Sequence, residues 1–163
     1  MALQIDPVGP DQTAAFGALW IPWLKSTVGV APEPEDLRAM ADPQTFYGES
    51  GGCALLARVD DVVVGAVAVK GLGAAGFEFC KLVVTERARG HGAGRALVVA
   101  SLRFAEARGG PWLYLQSFNR LEVALSLYRR MGFVDAPAPE EMRVLGRTEI
   151  VMRKAAVRPP DAA

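Results

Sequence analysis

Residues Thr85 to Ala107 read "TERARGHGAGRALVVASLRFAEA" and contain the most informative pattern of the chain. Glycines at positions 90, 92 and 94 alternate with other residues directly before a run with the spacing of a helix. Glycine is a poor helix former, so three of them at a helix start indicate that bare backbone is needed there. A phosphate group needs it, because the first N–H groups of a helix are unpaired and lie at the positive end of the helix dipole.

The residues after the glycines exclude two common phosphate loops. The Walker motif G-x-x-x-x-G-K-[ST] requires a lysine where this chain has Arg95. The Rossmann motif G-x-G-x-x-[GA] would end at Arg95 in one register and at Leu97 in the other, and neither residue fits. An ordinary glycine-rich turn and a strand–loop–helix turn that binds a pyrophosphate remain as alternatives. The second gains positive charge from Arg87, Arg89 and Arg95.

Strand-like and helix-like segments alternate around this loop. Strands are predicted at 3–8, 53–59, 62–71, 77–84, 111–117 and 148–154. Helices are predicted at 12–20, ended by Pro22, at 33–40, from the glycines to Gly109, and from Leu121 to Gly132. The short connection at Asp60-Asp61 favours a hairpin, whereas a helix between 77–84 and 111–117 favours a parallel crossover. The predicted fold class is α/β, a central mixed, mostly antiparallel sheet flanked by helices.

The composition is typical of one folded domain. Of 163 residues, 51% are apolar, and 18 basic residues balance 18 acidic ones, which excludes a global field for nucleic acid or an anionic membrane. No apolar run reaches the roughly 18 residues that cross a bilayer, and the N-terminus lacks a signal-peptide pattern, so we expect a cytoplasmic protein. We expect a single domain over residues 1–155 and a flexible tail over 156–163.

The cysteines and the single histidine have no metal-binding spacing. Cys53 and Cys80 each lie in an apolar run, which favours buried free thiols. His91 lies inside the glycine loop, which favours an exposed loop residue or a phosphate contact over a catalyst. The sequence therefore predicts a protein without a metal.

Two motifs resemble those of the GNAT superfamily of N-acetyltransferases. The superfamily's acetyl-CoA motif Q/R-x-x-G-x-G/A matches at Arg89, Gly92 and Gly94. "ALSLYRRMGF" at 124–133 resembles its second common element, A-x-x-L-Y-x-x-x-G-F, and the order of elements from residue 3 to about 154 is similar to that fold. The resemblance implies an enzyme that uses acetyl-CoA as a co-substrate, with strands 77–84 and 111–117 splayed apart.

The resemblance also implies cofactor contacts. The backbone N–H groups of the loop would hold the pyrophosphate, and these belong to Arg89, Gly90, His91, Gly92, Ala93, Gly94 and Arg95. Val83 and Val84, at the end of the preceding strand, would pair with pantetheine through their main chain. Many members carry an asparagine seven residues before the motif tyrosine. This chain has Leu121 there, so the nearest asparagine, Asn119, becomes the candidate contact.

Direct acetyl transfer is the attack of an amine on a thioester, which requires a base for the amine and a proton for the departing thiolate. Tyr128 is the candidate acid, and a core aromatic residue is its alternative role. Glu78 is the candidate base, because a carboxylate in an apolar strand acquires a raised pKa. One alternative is an ion pair of Glu78 with Lys81 or another cation, and another is ordered water as the base.

In this superfamily the segment between the first two strands usually covers the acceptor, which here is 11–52. Aromatic and acidic residues in it fit a small cationic or amino-acid-like amine, and they are Trp20, Trp23, Phe46, Tyr47, Glu33, Glu35 and Asp36. Packing of the tryptophans and solvation of the acids are the alternative. A small-molecule amine is therefore the expected partner, and monomer and homodimer both stay open, as do acetyl and longer acyl groups. An acyl-CoA sensor without turnover, or a nucleotide-binding protein that shares only the loop, are rival functions.

Overall fold

A computed structural model describes residues 2–156 as one sheet with helices on both faces. The strands are β1 Leu3–Pro7, β2 Cys53–Val59, β3 Val62–Gly71, β4 Gly76–Val84, β5 Trp112–Ser117, β6 Val134–Asp135 and β7 Ile150–Ala155. The α-helices are α1 Thr13–Trp23, α2 Pro34–Ala41, α3 Pro43–Gly48, α4 Ala93–Ala107 and α5 Glu122–Arg130. Most of the predicted tail, 157–163, lies outside the described residues, and within them no helix has the length and apolar character to cross a membrane.

The strand order is β1-β2-β3-β4-β5-β7-β6, and all neighbours are antiparallel except β4 and β5. The predicted α/β class, the antiparallel middle strands and the parallel crossover through α4 are confirmed. The hairpin between β2 and β3 is also confirmed. Asp60 and Asp61 have φ of 50° and 64°, the left-handed conformation that a two-residue type I′ turn requires.

The sheet carries a hydrophobic core on each face. Helices α1 to α3 cover one face around Phe16, Trp20 and Leu24, and α4 and α5 cover the other around Leu97 and Leu125. Strand β3 serves both cores, because its side chains alternate between the two faces. Ala66 and Ala68 point toward α1, and Val67 and Val69 point toward α4.

The structure corrects the predicted end of the first helix at Pro22. Helix α1 includes Pro22 and continues as a π-helical turn over Leu24–Val28, ending at Gly29 with φ of 80°. Proline removes only its own hydrogen bond, while Trp20, Leu24 and Val28 are buried one turn apart and hold the chain helical. Sequence patterns did not predict α3 or the two-residue strand β6, which are too short to show a period.

A β-bulge at Lys81 turns the end of β4 away from β5. Ala66 pairs with Val83 and Ala68 with Cys80, so one residue of β3 faces two residues of β4. Lys81 has φ of 56°, which costs a residue with a Cβ about 1–2 kcal/mol. A bulge bends and twists its strand, and the parallel pairing with β5 stops at Glu78, three residues earlier.

A buried ion pair holds the bulge. The Lys81 ammonium lies 2.9 Å from a carboxylate oxygen of Asp36 and 4.7 Å from the ring centre of Trp20. Arg147 lies 3.4 Å from the other oxygen of the same carboxylate. Burial raises the pKa of Asp36, but the charge and hydrogen bond of Lys81, the hydrogen bond from the N–H of Glu33 and the charge of Arg147 together outweigh it and hold that pKa below its usual value of 3.8. The strained residue of β4 is thereby tied to α1 and α2.

We expect Asp36→Asn to lower the free energy of unfolding at pH 7 by about 3–5 kcal/mol, because it leaves a buried ammonium without a carboxylate. The folded-state pKa of Asp36 lies below 3.8, so the pair stabilises fully above that value and loses its effect as the pH falls through the folded-state pKa. Urea unfolding should therefore show the difference between parent and variant narrowing below about pH 4.

The control for this experiment is Glu35→Gln, which breaks the more exposed ion pair with Arg143. We expect it to change the free energy of unfolding by less than about 1 kcal/mol. Equal losses in the two variants would contradict a special role for the buried pair.

Candidate active site

A cleft opens where β4 and β5 part. The two strands pair only from Gly76 to Glu78 with Trp112 to Tyr114. Beyond that point β4 stays paired with β3 through Val84, and β5 stays paired with β7 through Ser117. The facing edges of residues 82–84 and 115–117 therefore carry unpaired main-chain groups, which an extended ligand with amide groups can bind as an added strand.

A cavity of about 100 Å³ in this cleft, here called the first cavity, brings together most of the predicted reactive residues. Its lining includes Glu78 from β4, Tyr128 from α5 and two tryptophans from α1, Trp20 and Trp23, together with Gln116, Ser117 and Arg147. Glu78 is the last residue of β4 that pairs with β5, and Tyr128 lies on α5. The fold, and not sequence proximity, places the candidate acid and base at one site.

The glycine loop positions free N–H groups at the start of α4. Gly90 and Gly92 have φ of 84° and 74°, and Gly92 is the residue directly before the helix. Among the described residues, no backbone carbonyl accepts from the N–H groups of 92–95. The N–H groups of Arg89 and His91 differ, because they donate to the carbonyls of Glu86 and Ala88 at 3.1 and 3.2 Å. Within the described residues, the loop N–H groups without a partner are therefore those of Gly90 and of 92–95.

Positive charge surrounds these donors. Arg87, Arg89 and Arg95 are exposed around the loop, and within the described chain none of them forms an ion pair. His91 is exposed beside them. A β-carbon added to Gly92 would meet no atom within 4 Å, whereas one added to Gly94 would lie 3.8 Å from Val84. The loop thus combines open space, free donors and cations, the three requirements of a pyrophosphate site.

Glu78 is buried, with 5% of its surface exposed, and its carboxylate accepts a hydrogen bond of 2.9 Å from the Gln116 side chain. Burial raises the pKa of Glu78 to about 7, while the Gln116 hydrogen bond and the charges of Lys70 and Lys81 act in the opposite direction. The alternative of an ion pair with Lys81 is not observed, because Lys81 pairs with Asp36. A carboxyl group with this pKa can gain or lose a proton near neutral pH.

Gln116 is a site residue that sequence reasoning missed. Its amide nitrogen donates to Glu78 and to the carbonyl of Arg143, each at 2.9 Å. Its amide oxygen accepts from the N–H of Leu145 at 3.1 Å and from the Thr148 hydroxyl at 2.6 Å. These four bonds fix the side chain and the oxygen that Glu78 presents to it. A glutamine in a strand gives no signal of this role, because three of its partners lie in a distant irregular segment.

Tyr128 lies on α5 with 6% of its surface exposed. Its ring packs edge-on against Phe79, at 5.4 Å between ring centres, and Phe133 is its other aromatic neighbour. Within residues 2–156 its hydroxyl has no hydrogen-bond partner, although the residue lines the first cavity. Burial raises the pKa of Tyr128 well above its ordinary value, so the hydroxyl stays protonated at all working pH values. The ring is therefore part of the core, and the role of the hydroxyl as an acid stays a prediction.

Two further predicted site residues, Asn119 and Tyr47, do not line the first cavity. Asn119 is exposed after β5, and its main-chain and side-chain nitrogens donate to Glu149 at 3.1 and 3.4 Å. Tyr47 is buried, and its hydroxyl oxygen accepts from the Cys80 thiol at 3.8 Å. Tyr47 lines a second cavity with Glu35, Lys70 and Arg143, which shares Glu78, Lys81 and Gln116 with the first. In the described part of the chain, no cluster of three or more acidic, histidine or cysteine side chains could hold a metal ion.

The sequence profile of the acetyltransferase (GNAT) family matches residues 18–133, which include β4, the glycine loop and Tyr128. A Staphylococcus aureus acetyltransferase of the GNAT family has the same fold, with a TM-score of 0.84, 16% identity and 95% and 99% of the two chains covered. A Thermoplasma acidophilum PaiA N-acetyltransferase in complex with coenzyme A has a TM-score of 0.71 and 16% identity, with 95% of this chain and 99% of the other covered. The Escherichia coli ribosomal-protein-S18-alanine N-acetyltransferase has a TM-score of 0.71 and 14% identity, with 99% of each chain covered.

No curated protein matches the chain in sequence. At these identities the structural likenesses show the fold alone, whereas the family profile spans more than half of the chain and both of its motifs. The chain therefore belongs to the GNAT family of acetyltransferases, and acyl transfer is its chemistry.

Proposed function

We propose that this enzyme transfers an acetyl group from acetyl-CoA to the primary amine of a small molecule, by direct attack within a ternary complex. The observation that carries the proposal is the first cavity. There a buried carboxyl group with a pKa of about 7 lines the same space as Tyr128, a buried residue whose hydroxyl has no hydrogen-bond partner among the described residues.

The cleft and the loop fit the two halves of acetyl-CoA. Pantetheine would lie between the parted strands, with its amides paired to the main chain of Val83 and Val84. The pyrophosphate would receive the N–H groups of 92–95, with the loop's arginines and His91 around it. Asn119 would reach pantetheine only by giving up its bonds to Glu149. The coenzyme A in the Thermoplasma relative, which shares this fold, supports such a site.

Glu78 and Tyr128 would divide the proton transfers. Glu78 accepts a proton from the attacking amine, whose nitrogen forms a bond to the thioester carbonyl carbon. The carbon–sulfur bond then breaks, and the Tyr128 hydroxyl gives its proton to the departing sulfur. Tyr128 regains a proton, and Glu78 loses one, by exchange with solvent. Burial disfavours the thiolate as well as the phenolate, so the raised pKa of Tyr128 does not by itself oppose this transfer.

The reacting amine of the acceptor would lie close to Trp20 and Trp23, which line the first cavity together with Glu78. Tyr47 belongs to the second cavity, on the other side of Glu78. A small acceptor is favoured because ion pairs join α2 to the segment before β7 and enclose this end of the cleft. A protein tail would need an open groove, and a sensor without turnover would need neither Glu78 nor the Tyr128 hydroxyl.

We expect Gly92→Val to weaken coenzyme A binding by at least about tenfold in isothermal titration calorimetry, a loss of about 1.4 kcal/mol. Its side chain would occupy the open space in which the phosphates lie. The matched control is Gly109→Val at the other end of α4. Gly92 and Gly109 have φ of 74° and 71° and equally open surroundings, so both variants carry the same backbone strain. Equal affinities in the two folded variants would remove the pyrophosphate from this loop.

We expect kcat/KM of the parent to rise with pH up to about pH 7, because Glu78 must be ionised to accept a proton and its pKa is about 7. In Glu78→Gln, the part of the rise in kcat/KM that comes from ionisation of Glu78 should disappear. Only the rise caused by deprotonation of the acceptor amine should remain. The rate loss should shrink toward high pH, where free amine exists without a base. A pH profile from 5.5 to 10 tests this, and parallel profiles for parent and variant would assign Glu78 a structural role.

We expect Tyr128→Phe to lower kcat by about 10²-fold, the lower end for loss of a general acid, with little change in stability or in coenzyme A affinity. Tyr114→Phe is the matched control, because it removes another buried tyrosine hydroxyl, which is bonded to Arg153 outside the first cavity. Single-turnover kinetics isolate the chemical step. Equal kcat values for the two variants would leave Tyr128 a packing residue.

A further inference from the structure

The second cavity, lined by Glu35, Asp36, Tyr47, Lys70 and Arg143, meets the first at Glu78. If Glu78 receives the proton of the attacking amine, the rest of the acceptor extends into one of these cavities. The first contains the Tyr128 hydroxyl and therefore the departing sulfur of the proposed reaction. The second is left for the part of the acceptor that does not react, and the inference below rests on the proposed function in this respect.

The acidic residues that we predicted from the sequence to bind a cationic amine already form ion pairs within the protein. Asp36 binds Lys81 and Arg147, Glu33 binds Arg147 at 3.3 Å, and Glu35 binds Arg143. The Trp20 ring is also in use, because the Lys81 ammonium lies over it. Glu78 is the remaining acid of the second cavity, so a second positive charge on the acceptor would find there, among the described residues, only carboxylates that already have a cation partner.

Lys70, unlike these acidic residues, has no partner of opposite charge within the described residues. It lies on β3 directly across from Glu78 in the antiparallel register, so the two side chains share one face of the sheet. Within residues 2–156 no carboxylate oxygen lies within 4.0 Å of its ammonium group. The other two cations of the second cavity, Lys81 and Arg143, both have carboxylate partners. Lys70 therefore supplies a positive charge that the protein does not neutralise by contact.

We propose that the acceptor carries a carboxylate, which binds the Lys70 ammonium in the second cavity while the amine of the same molecule reaches Glu78. An amino acid or a close analogue has this arrangement of charges. Its ammonium group meets the Glu78 carboxylate and its carboxylate meets Lys70, so each charge of the pair on β3 and β4 gains a partner. A diamine would place its second cation beside Lys70 and be repelled. Once Glu78 has taken the proton, the acceptor's carboxylate still balances Lys70.

The experiment compares matched acceptors with and without a carboxylate, namely L-phenylalanine with 2-phenylethylamine, L-methionine with 3-(methylthio)propylamine, and L-ornithine with putrescine. We expect the carboxylated member of at least one pair to have the higher kcat/KM in the parent. Lys70→Met, assayed well above pH 7 so that the Glu78 carboxyl is ionised in both proteins, should lower that value by about tenfold to a hundredfold and leave its amine partner within about twofold. Lys70→Arg should keep the preference, and Lys70→Glu should reverse it. Lys25→Met, an exposed lysine outside both cavities, is the matched control.

The outcomes separate this inference from the proposed function. Turnover restricted to amines without a carboxylate overturns the inference alone. So does a loss of equal size for both members of a pair in Lys70→Met, since Lys70 would then act only through the ionisation of Glu78. Coenzyme A binding without turnover of any of the six amines overturns the proposed function and this inference together.

Discussion

The buried pair of Lys81 and Asp36 is the interaction on which the active-site cleft depends. Lys81 has a left-handed backbone conformation that glycine would adopt without strain. Its ion pair with Asp36 and its contact with the face of the Trp20 ring offset the energy of that strain. The pairing of β4 with β5 stops three residues before this bulge, which bends β4 where the two strands part. The extra residue of β4 is held in place by a carboxylate from another layer of the fold.

The cleft is finished by side chains from opposite ends of the chain. Gln116 on β5 holds the Glu78 carboxylate and at the same time fixes the segment that carries Arg143 and Leu145. The ion pairs of that segment with α2 close the far side of Glu78. The group with a pKa near neutrality is thus surrounded by polar contacts that orient it, while burial keeps it from being fully ionised. This combination of fixed geometry and poised protonation is what general base catalysis requires.

The two cavities on either side of Glu78 divide the site by charge. In the first, the Tyr128 hydroxyl faces the cleft without a partner among the described residues. In the second, two of the three cations have partners and Lys70 does not, again within the described chain. Under the proposed binding of the acceptor, a cavity that neutralises its own acids would select a ligand that supplies a carboxylate, and internal ion pairs would take part in specificity as well as in stability.

Sequence alone determined the elements whose signals are local. The strands at 53–59, 62–71 and 77–84, the Asp60-Asp61 turn and the glycine loop all depend on neighbouring residues, and the structure has them where their patterns predict. The two motifs likewise identified the family before any coordinates, because the loop and the tyrosine helix each occupy a continuous stretch. The contacts between residues that are distant in sequence follow from the tertiary structure. Glu78 accepts a hydrogen bond from Gln116 and does not pair with Lys81, which forms an ion pair with Asp36. Lys70 has no carboxylate partner within the described chain, because burial and pairing depend on the packing of layers that are remote in sequence.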